Sequence, residues 1–594
     1  MPPITHPSEK SRKLFPQFAS ASLVQPKGNQ HPWWALVEWQ ALLLVGIVAA
    51  IYFGRLSEMS IRGEESRWAT IAMEMIRNGD WVVPRQQGVP FLSRPPLGSW
   101  LIAAATFFRG QCDVLAVRLP SVLATLLTSL LVYGYSRAFL SRLGAFSAGM
   151  AYATMGQVLQ LGRVGETEAV FTFFVSASLL VWHWAYLRQW PDIWIWIVGF
   201  SLAALGALTK GPQAPIYFVA VTGMYLILRG EWRRLMTWSY MAGLGAFVGI
   251  IACWQVPFFL KLGWPGVKAI WASDTAMRLA EIHLQAVLEH MVTYPVEIMV
   301  CTLPWSLFLL GYLSRDVRRS IGSAQTMLRF LAVCLVVAFP SCWLIPGAHG
   351  RYFMPLYPCM APLIGLVMKR CLSALPESTP GRIWRHSLAG MCFLMAGFAL
   401  LIMSASRFDF PKVSLLIQER TFSLIYAAIA LASTGFLWQL RGWSHPRWGL
   451  VNVCSLAIYL GLTYDTVVIN FIIRKNGVTG EQVAQLKVQL PDKQELISFG
   501  PIHHLFAYHF QDPIALRDWP KNVGDMADRI KYFCFERAAA RPLPFTWEKI
   551  EEISCDRDRT PAPEEVVVVG RRSTRDSNNN PTVSPPLTSF RSSP

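Results

Sequence analysis

Charge is scarce in this chain. Asp, Glu, Lys and Arg make up 15% of its 594 residues, against roughly 25% in a soluble protein. That deficit excludes a solvated globule for most of the length. The eleven cysteines show no metal-ligand spacing, and most lie inside apolar runs as small hydrophobes, so a cysteine-built metal framework is excluded. No repeat of fixed period runs through the sequence, which excludes a solenoid. No small-residue cleavage pattern follows the first apolar run, Trp34 to Phe53. That run is close to the ~20 residues a spanning helix needs, so it reads as a retained span rather than a removed signal peptide.

What the chain has in abundance is apolar length. Hydrophobic residues make up 53% of it, in repeated runs rich in Trp and Phe, which describes a polytopic membrane protein. The 54 basic residues exceed the 37 acidic ones by 17. They sit mostly in short loops between apolar runs, where they signal topology and contact anionic lipid rather than nucleic acid.

The piece Trp100 to Phe108 is too short to span and reads as interfacial. With it left out, spans after the first fall near 118–136, 143–160, 168–187, 192–208, 213–228, 237–259, 297–313, 327–345, 352–368, 387–404, 421–440 and 446–470. The cytoplasmic loops then carry Arg137 and Arg142; Arg188; Arg229, Arg233 and Arg234; Arg315, Arg318 and Arg319; Lys369, Arg370, Arg382 and Arg385; Arg441 and Arg447. Every basic short loop falls inside, whereas counting 100–108 as a span puts most of them outside. The expectation is an all-α polytopic membrane protein of about thirteen transmembrane helices, N-terminus inside and C-terminus outside.

Four regions follow. Residues 1–33 are expected as a disordered cytoplasmic tail, and 34–470 as the transmembrane domain, with its first outer loop at 54–117. Residues 471–556 are expected as a small extracytoplasmic soluble α/β domain, with a strand at Glu495–Phe499 and a helix around Asn522–Cys534. Residues 557–594, rich in Pro, Ser, Asn and Arg, are expected to be a disordered tail. Cys534 and Cys555 can pair in an oxidising compartment or remain two free thiols.

One polar stretch stands out beside the first span: Arg62-Gly63-Glu64-Glu65-Ser66-Arg67-Trp68. Charged groups held next to a membrane default to function. The stretch opens a helix, since Trp68, Ile71, Ala72, Met75 and Ile76 share one apolar face and Asn78-Gly79 is a stop signal. The reading is an amphipathic helix on a membrane surface, presenting Glu64 and Arg67, three apart, at its start. Glu65 points elsewhere and reads either as a marker of the site or as a solvated acid favoured by the helix dipole. The same topology sends Arg94, Arg163, Glu166, Glu168, Lys210, His283, His290, His349, Arg351 and Tyr352 to the outer face. Charged groups from separate regions converging there suit an anionic, membrane-bound substrate. His283 and His290 lack a third ligand and read as surface histidines. Asp465, near the outer end of the last span, reads as structural.

The order of motifs resembles a known family. Gly63-Glu64-Glu65-Ser66-Arg67-Trp68, Gly79-Asp80-Trp81-Val82-Val83-Pro84-Arg85, Gly88-Val89-Pro90 and Arg94-Pro95-Pro96-Leu97 with Trp100 look like the first outer loop of the lipid A aminoarabinose transferase and protein O-mannosyltransferase group of GT-C glycosyltransferases. Arg118-Leu119-Pro120, Glu168, Thr209-Lys210-Gly211-Pro212, Pro304-Trp305-Ser306 and Arg351-Tyr352-Phe353-Met354-Pro355 are similar to its later landmarks, in the same order. The resemblance covers roughly residues 35–370. It implies a GT-C-like fold and inverting transfer of a sugar from a polyprenyl-phosphate donor to a lipid, protein or glycan acceptor at the outer face of the cell membrane. It implies neither a cofactor nor a nucleic-acid partner.

The residues suit that chemistry. Charge developing on a phosphate leaving group is stabilised by fixed cations, and Arg67, Arg94, Lys210 and Arg351, with Tyr352 beside the last, are the candidate substrate-binding groups. An acceptor hydroxyl must lose a proton, and Glu64 matches the family's catalytic Asp. Glu168 matches a second family Asp that orients the acceptor or holds a cation. The chain departs from the family pattern by carrying Glu at 64 and 168 and Arg at 94 where Lys is usual. Ser93 replaces a Glu that helps hold zinc in some members, so no metal site is expected. Two other readings stay open: a transporter or flippase of lipid-linked glycans, which would place charges near span centres, and an inactive binding relative.

Overall fold

The structure, a computed structural model, describes residues 38–573 apart from 280–283, 320, 376, 406–419, 442–445, 476–478, 491–494, 526–529 and 556–564. Both expected disordered tails, except for part of the second, lie outside the described residues, as does His283. The chain folds as two units.

The first unit comprises residues up to Met59, Trp81–Val83 and Leu92–Phe471. Among the described residues, eight helices are long and apolar enough to cross a membrane, beginning with Val114–Arg137, Glu168–Leu187 and Asp192–Lys210. A ninth crossing results if Leu284–Cys301 and Trp305–Leu313, which meet at 114°, count as one. The remaining expected spans fold as shorter or broken helices: Trp39–Phe53, Arg142–Ala153 followed by Gly156–Leu161, Gln213–Leu228, and Tyr357–Leu372. A helix of 16 residues such as Gln213–Leu228 reaches about 24 Å, short of the ~30 Å hydrocarbon core. Leu97–Arg109 is shorter still, with Phe107 and Phe108 exposed near its end. The long helix beginning at Trp238 breaks at Gly263, whose φ of 65° is open to glycine at little cost.

Buried polar groups fasten this unit. Arg118 donates to the carbonyls of Leu56 and Met59, each at 2.7 Å, and closes the turn after the first helix. Arg163 does not serve the outer-face cluster expected of it. It is fully buried, its Nη1 lies 2.6 Å from Asp465 Oδ1, and its guanidinium sits over the rings of Tyr52 and Tyr464. Asp465 is structural, as expected, and lies in a π-helical turn, Tyr464–Val468.

The second unit comprises Ser60–Asp80, Pro84–Phe91 and the chain from Ile472. A hairpin pairs β1 (Arg85–Gln86) with β2 (Val89–Pro90). A five-stranded mixed sheet contains β3 (Leu496–Phe499), β4 (Ala515–Arg517), β5 (Tyr532–Glu536), β6 (Trp547–Ser554) and β7 (Val566–Arg572), in the order β4-β3-β5-β7-β6. β3 runs parallel to β4 and β5; the other pairings are antiparallel. Phe499, Phe533, Phe535, Phe545 and Val568 pack its core.

Two expectations fail in this unit. Where a helix was expected around Asn522–Cys534, the described residues form a 3₁₀ turn at Val523–Asp525 and the strand β5, and 526–529 lie outside the described residues. Tyr532-Phe533-Cys534-Phe535 is a short, wholly buried run, and such a run carries no period to separate strand from helix. The tail expected from 557 contains β7, where four consecutive valines make a buried strand. Cys534 and Cys555 are free, buried thiols. Burial pushes the Cys555 thiol up to about 12, which keeps it protonated.

The helix expected from the polar stretch spans Glu65–Asn78, and Gly79 (φ 67°) ends it in the left-handed conformation. Its burial is not confined to one face. Trp68, Ile71, Ala72 and Met75 are buried as expected, but so are Glu65, Ser66, Ala69, Thr70 and Met73 around most of its circumference. Glu65 is not solvated. It is fully buried, and its Oε2 accepts the Arg62 N–H at 3.1 Å, which satisfies a backbone donor near the helix start.

Candidate active site

In the membrane unit, Glu168 opens the helix Glu168–Leu187 and Lys210 closes Asp192–Lys210. Acid at an N-terminus and base at a C-terminus both suit the helix dipole. Lys210 Nζ lies 2.8 Å from Glu168 Oε1, and both side chains are 7% exposed. The ammonium also sits 5.2 Å from the Tyr352 ring centroid and 5.8 Å from that of Phe171. Arg351 stacks over Tyr352 at 5.4 Å, and its Nη1 is 3.7 Å from Glu166 Oε2. Its Nε is buried with no hydrogen-bond partner among the described residues. Four expected site residues, Glu168, Lys210, Arg351 and Tyr352, thus come together with Glu166.

Arg94 precedes the helix Leu97–Arg109 and is half-buried, with Nη1 donating to the Ser93 carbonyl at 3.2 Å. That helix packs tightly beside the loop before Glu168: a Cβ at Gly98 would stand 3.2 Å from Thr167 Cγ2. Glu297 was not anticipated. It lies on Leu284–Cys301, and its Oε1 accepts the Gly350 N–H at 2.6 Å, fixing the turn that carries Arg351 and Tyr352. Its position at the head of an apolar run was the available signal. His290 is half-buried and hydrogen-bonds the Cys342 carbonyl at 3.1 Å, so it is not the surface histidine expected. No cluster of three or more His, Cys, Asp or Glu able to hold a metal occurs among the described residues.

In the second unit Arg67 Nη1 lies 2.7 Å from Glu64 Oε2 across one helical turn, with side chains 30% and 43% exposed. Arg67 also covers the Phe91 ring at 5.5 Å, and its Nε is buried without a hydrogen-bond partner among the described residues. Behind this pair Ser66 Oγ is 2.7 Å from His504 Nδ1 and donates to the Gly63 carbonyl. The C-terminal chain thereby fixes the turn that presents Glu64.

Several known proteins are similar to this chain in fold or in sequence. The crystal structure of ArnT from Cupriavidus metallidurans bound to undecaprenyl phosphate superimposes with a TM-score of 0.66 at 15% identity, covering 90% of this chain and 98% of that one. Residues 93–256 match the family described as dolichyl-phosphate-mannose-protein mannosyltransferase. The chain is 27% identical over 413 residues to the undecaprenyl phosphate-alpha-4-amino-4-deoxy-L-arabinose arabinosyl transferase of Aeromonas salmonicida strain A449, covering 68% of this chain and 72% of that protein. It is 26% identical over 408 residues to the enzyme of the same name from Pseudomonas aeruginosa strain UCBPP-PA14, covering 66% and 71%. The resemblance read from the motifs is borne out.

Proposed function

We propose that this chain is an integral membrane glycosyltransferase. It moves a sugar from a polyprenyl-phosphate donor, of the undecaprenyl kind named for its relatives, to a lipid, protein or glycan acceptor on the extracytoplasmic face. The observation that carries this reading is the buried Glu168–Lys210 pair beside Arg351. Bringing two charges out of water is costly, and a cation held in such a place suits an anionic ligand.

In this reading Arg94, Lys210 and Arg351 stabilise the phosphate as it leaves the anomeric carbon. Arg351 offers a planar fork and Lys210 a point charge. Glu168 holds Lys210 in place, and Tyr352 positions both cations. The acceptor oxygen attacks the anomeric carbon from the side opposite the phosphate, the sugar–phosphate bond breaks, and configuration inverts. Glu64 takes the acceptor's proton, with Arg67 orienting its carboxylate. Charges at the ends of spans favour this reading over a transporter.

The topology proposed with it has about thirteen crossings, the shorter helices included, with the N-terminus inside and the sheet-bearing domain outside. Cysteine labelling should reach positions near 64 and 500 from outside and near 316 from inside; labelling of 64 and 316 from one side contradicts it. The activity is tested by incubating purified protein with an undecaprenyl-phosphate-linked sugar and envelope lipids, glycans and proteins, and following the sugar by mass spectrometry. Transfer that stops in Arg351→Ala supports the reading. Donor that stays intact with folded wild-type protein overturns it.

A further inference from the structure

The second unit holds a cavity of about 300 Å³ with Glu64 in its wall. The rest of the lining comes largely from the C-terminal chain and includes Thr479, His503, His509 and Glu565, with Arg62 from the turn before the helix. The volume lies at the small end of ligand pockets, which run from about 300 to 1,000 Å³.

The lining chemistry narrows the ligand. Glu64 is already paired with Arg67, and the wall otherwise holds one carboxylate, Glu565, and one guanidinium, Arg62, so it offers a phosphate or other anion no excess of positive charge. A metal ion is disfavoured because no cluster of three ligating groups occurs among the described residues. Burial pushes His509 down to about 4, so its imidazole is neutral and carries one donor and one acceptor nitrogen. The Thr479 hydroxyl donates to the Ser554 carbonyl at 2.7 Å and keeps its acceptor lone pairs. Carboxylates, imidazoles, a hydroxyl and a guanidinium place both donor and acceptor groups in the wall. A hydroxyl is itself both donor and acceptor, so the complementary ligand is neutral and rich in hydroxyls.

The geometry points to this cavity as the acceptor subsite, holding a sugar or similar polyol of a glycan-type acceptor with one hydroxyl toward Glu64. This rests on the reading of Glu64 as the proton acceptor. It adds a substrate class, since the acceptor is recognised by neutral hydroxyls rather than by a phosphate, and it makes His503 and His509 specificity-determining residues. The sheet-bearing unit thereby selects the acceptor.

The test uses the full-length protein in lipid nanodiscs and saturation-transfer NMR with glucose, mannose, galactose, N-acetylglucosamine, glycerol and inorganic phosphate as probes. At least one sugar should receive saturation, and His509→Phe should weaken its binding about 3- to 10-fold, the effect of losing one hydrogen-bonding side chain. His503→Phe, at a half-buried position, serves as a second variant should His509→Phe not fold. Binding of undecaprenyl phosphate, measured in parallel, should be the same in both variants as in wild type. No saturation of any sugar, an affinity unchanged in both variants, or inorganic phosphate competing with the sugar overturns the proposal. Failure of the wild-type protein to bind undecaprenyl phosphate instead overturns the glycosyltransferase reading, and with it the acceptor role, while leaving a sugar site in place.

Discussion

Glu168–Lys210 in the membrane unit and Glu64–Arg67 in the sheet-bearing unit are ion pairs of nearly equal length, 2.8 and 2.7 Å, in opposite surroundings. The first is 7% exposed at both side chains; the second is 43% exposed at the acid and 30% at the base. Contact distance therefore says little about what each pair does. In the buried pair each charge is bound to the other's presence, because either one left by itself lacks water to replace its partner. In the exposed pair water is a ready substitute, so either charge can lose its partner without upsetting the fold. That contrast is consistent with the proposed roles, a fixed charge for the first pair and a proton acceptor in the second.

The sharpest way to break this contrast is to remove one buried partner. Lys210→Ala leaves the Glu168 carboxylate buried and should cost about 3–5 kcal/mol of stability, with Arg351 nearby offsetting part of it. Thermal unfolding in nanodiscs measures this, and Lys210→Met combined with Glu168→Gln should recover most of the loss. A single substitution as mild as the double one would mean that the pair is not buried in the way described.

Acid should act next most strongly, and on the other unit. Burial lowers His509 to about 4 from the ordinary 6.5, because charging the ring inside the protein is unfavourable. A depressed folded-state value means the stabilisation is fully present above pH 6.5 and is lost as pH falls toward 4. The loss is on the order of 3 kcal/mol for this group. Hydrogen exchange of β3 and β5 across that range should show it, and His509→Phe should flatten the profile.

Smaller again is the donor affinity. Arg94→Ala and Arg351→Ala should each weaken undecaprenyl phosphate binding about 10- to 100-fold, one charge-assisted contact being worth roughly 1.5–3 kcal/mol, and the double variant should bind more weakly than either. Unchanged affinity removes the phosphate role from both residues. The smallest effect is the stability of Glu64→Gln, which should lie within about 1 kcal/mol of wild type, as exposed pairs do.

The two units also differ in how far the sequence foretold them. The membrane unit was legible because apolar length is a one-dimensional signal, and because Glu168 and Lys210 stand out at the ends of apolar runs. Which charges would be used for structure was not legible. Arg163 and Asp465 meet across three hundred residues, and no local pattern announces a partner at that separation. Glu297 stood at the head of an apolar run, but its contact is to a backbone amide, which leaves no trace of the partner in side-chain spacing. The sheet-bearing unit was read least well. β5 is too short to show a period, β7 lies beyond the point where Pro and Ser suggested disorder, and two pieces of the stretch after the first helix fold with the C-terminal chain. The histidines of the cavity wall became visible only once that chain was folded.

The role of Glu64 as proton acceptor is read out in its kinetics. The measurement is the rate of sugar transfer from an undecaprenyl-phosphate donor by folded, membrane-inserted wild type, Glu64→Gln, Glu64→Asp and Glu65→Gln. Loss of a general base costs about 10²–10⁴-fold, so Glu64→Gln should fall by that factor. Glu65→Gln should retain transfer per folded molecule, because Glu65 is buried against the Arg62 amide. Glu64→Asp should lose activity in a site built around the longer acid. Near-normal turnover in Glu64→Gln would contradict the account and move the proton acceptor elsewhere, with Glu168 the next residue to test.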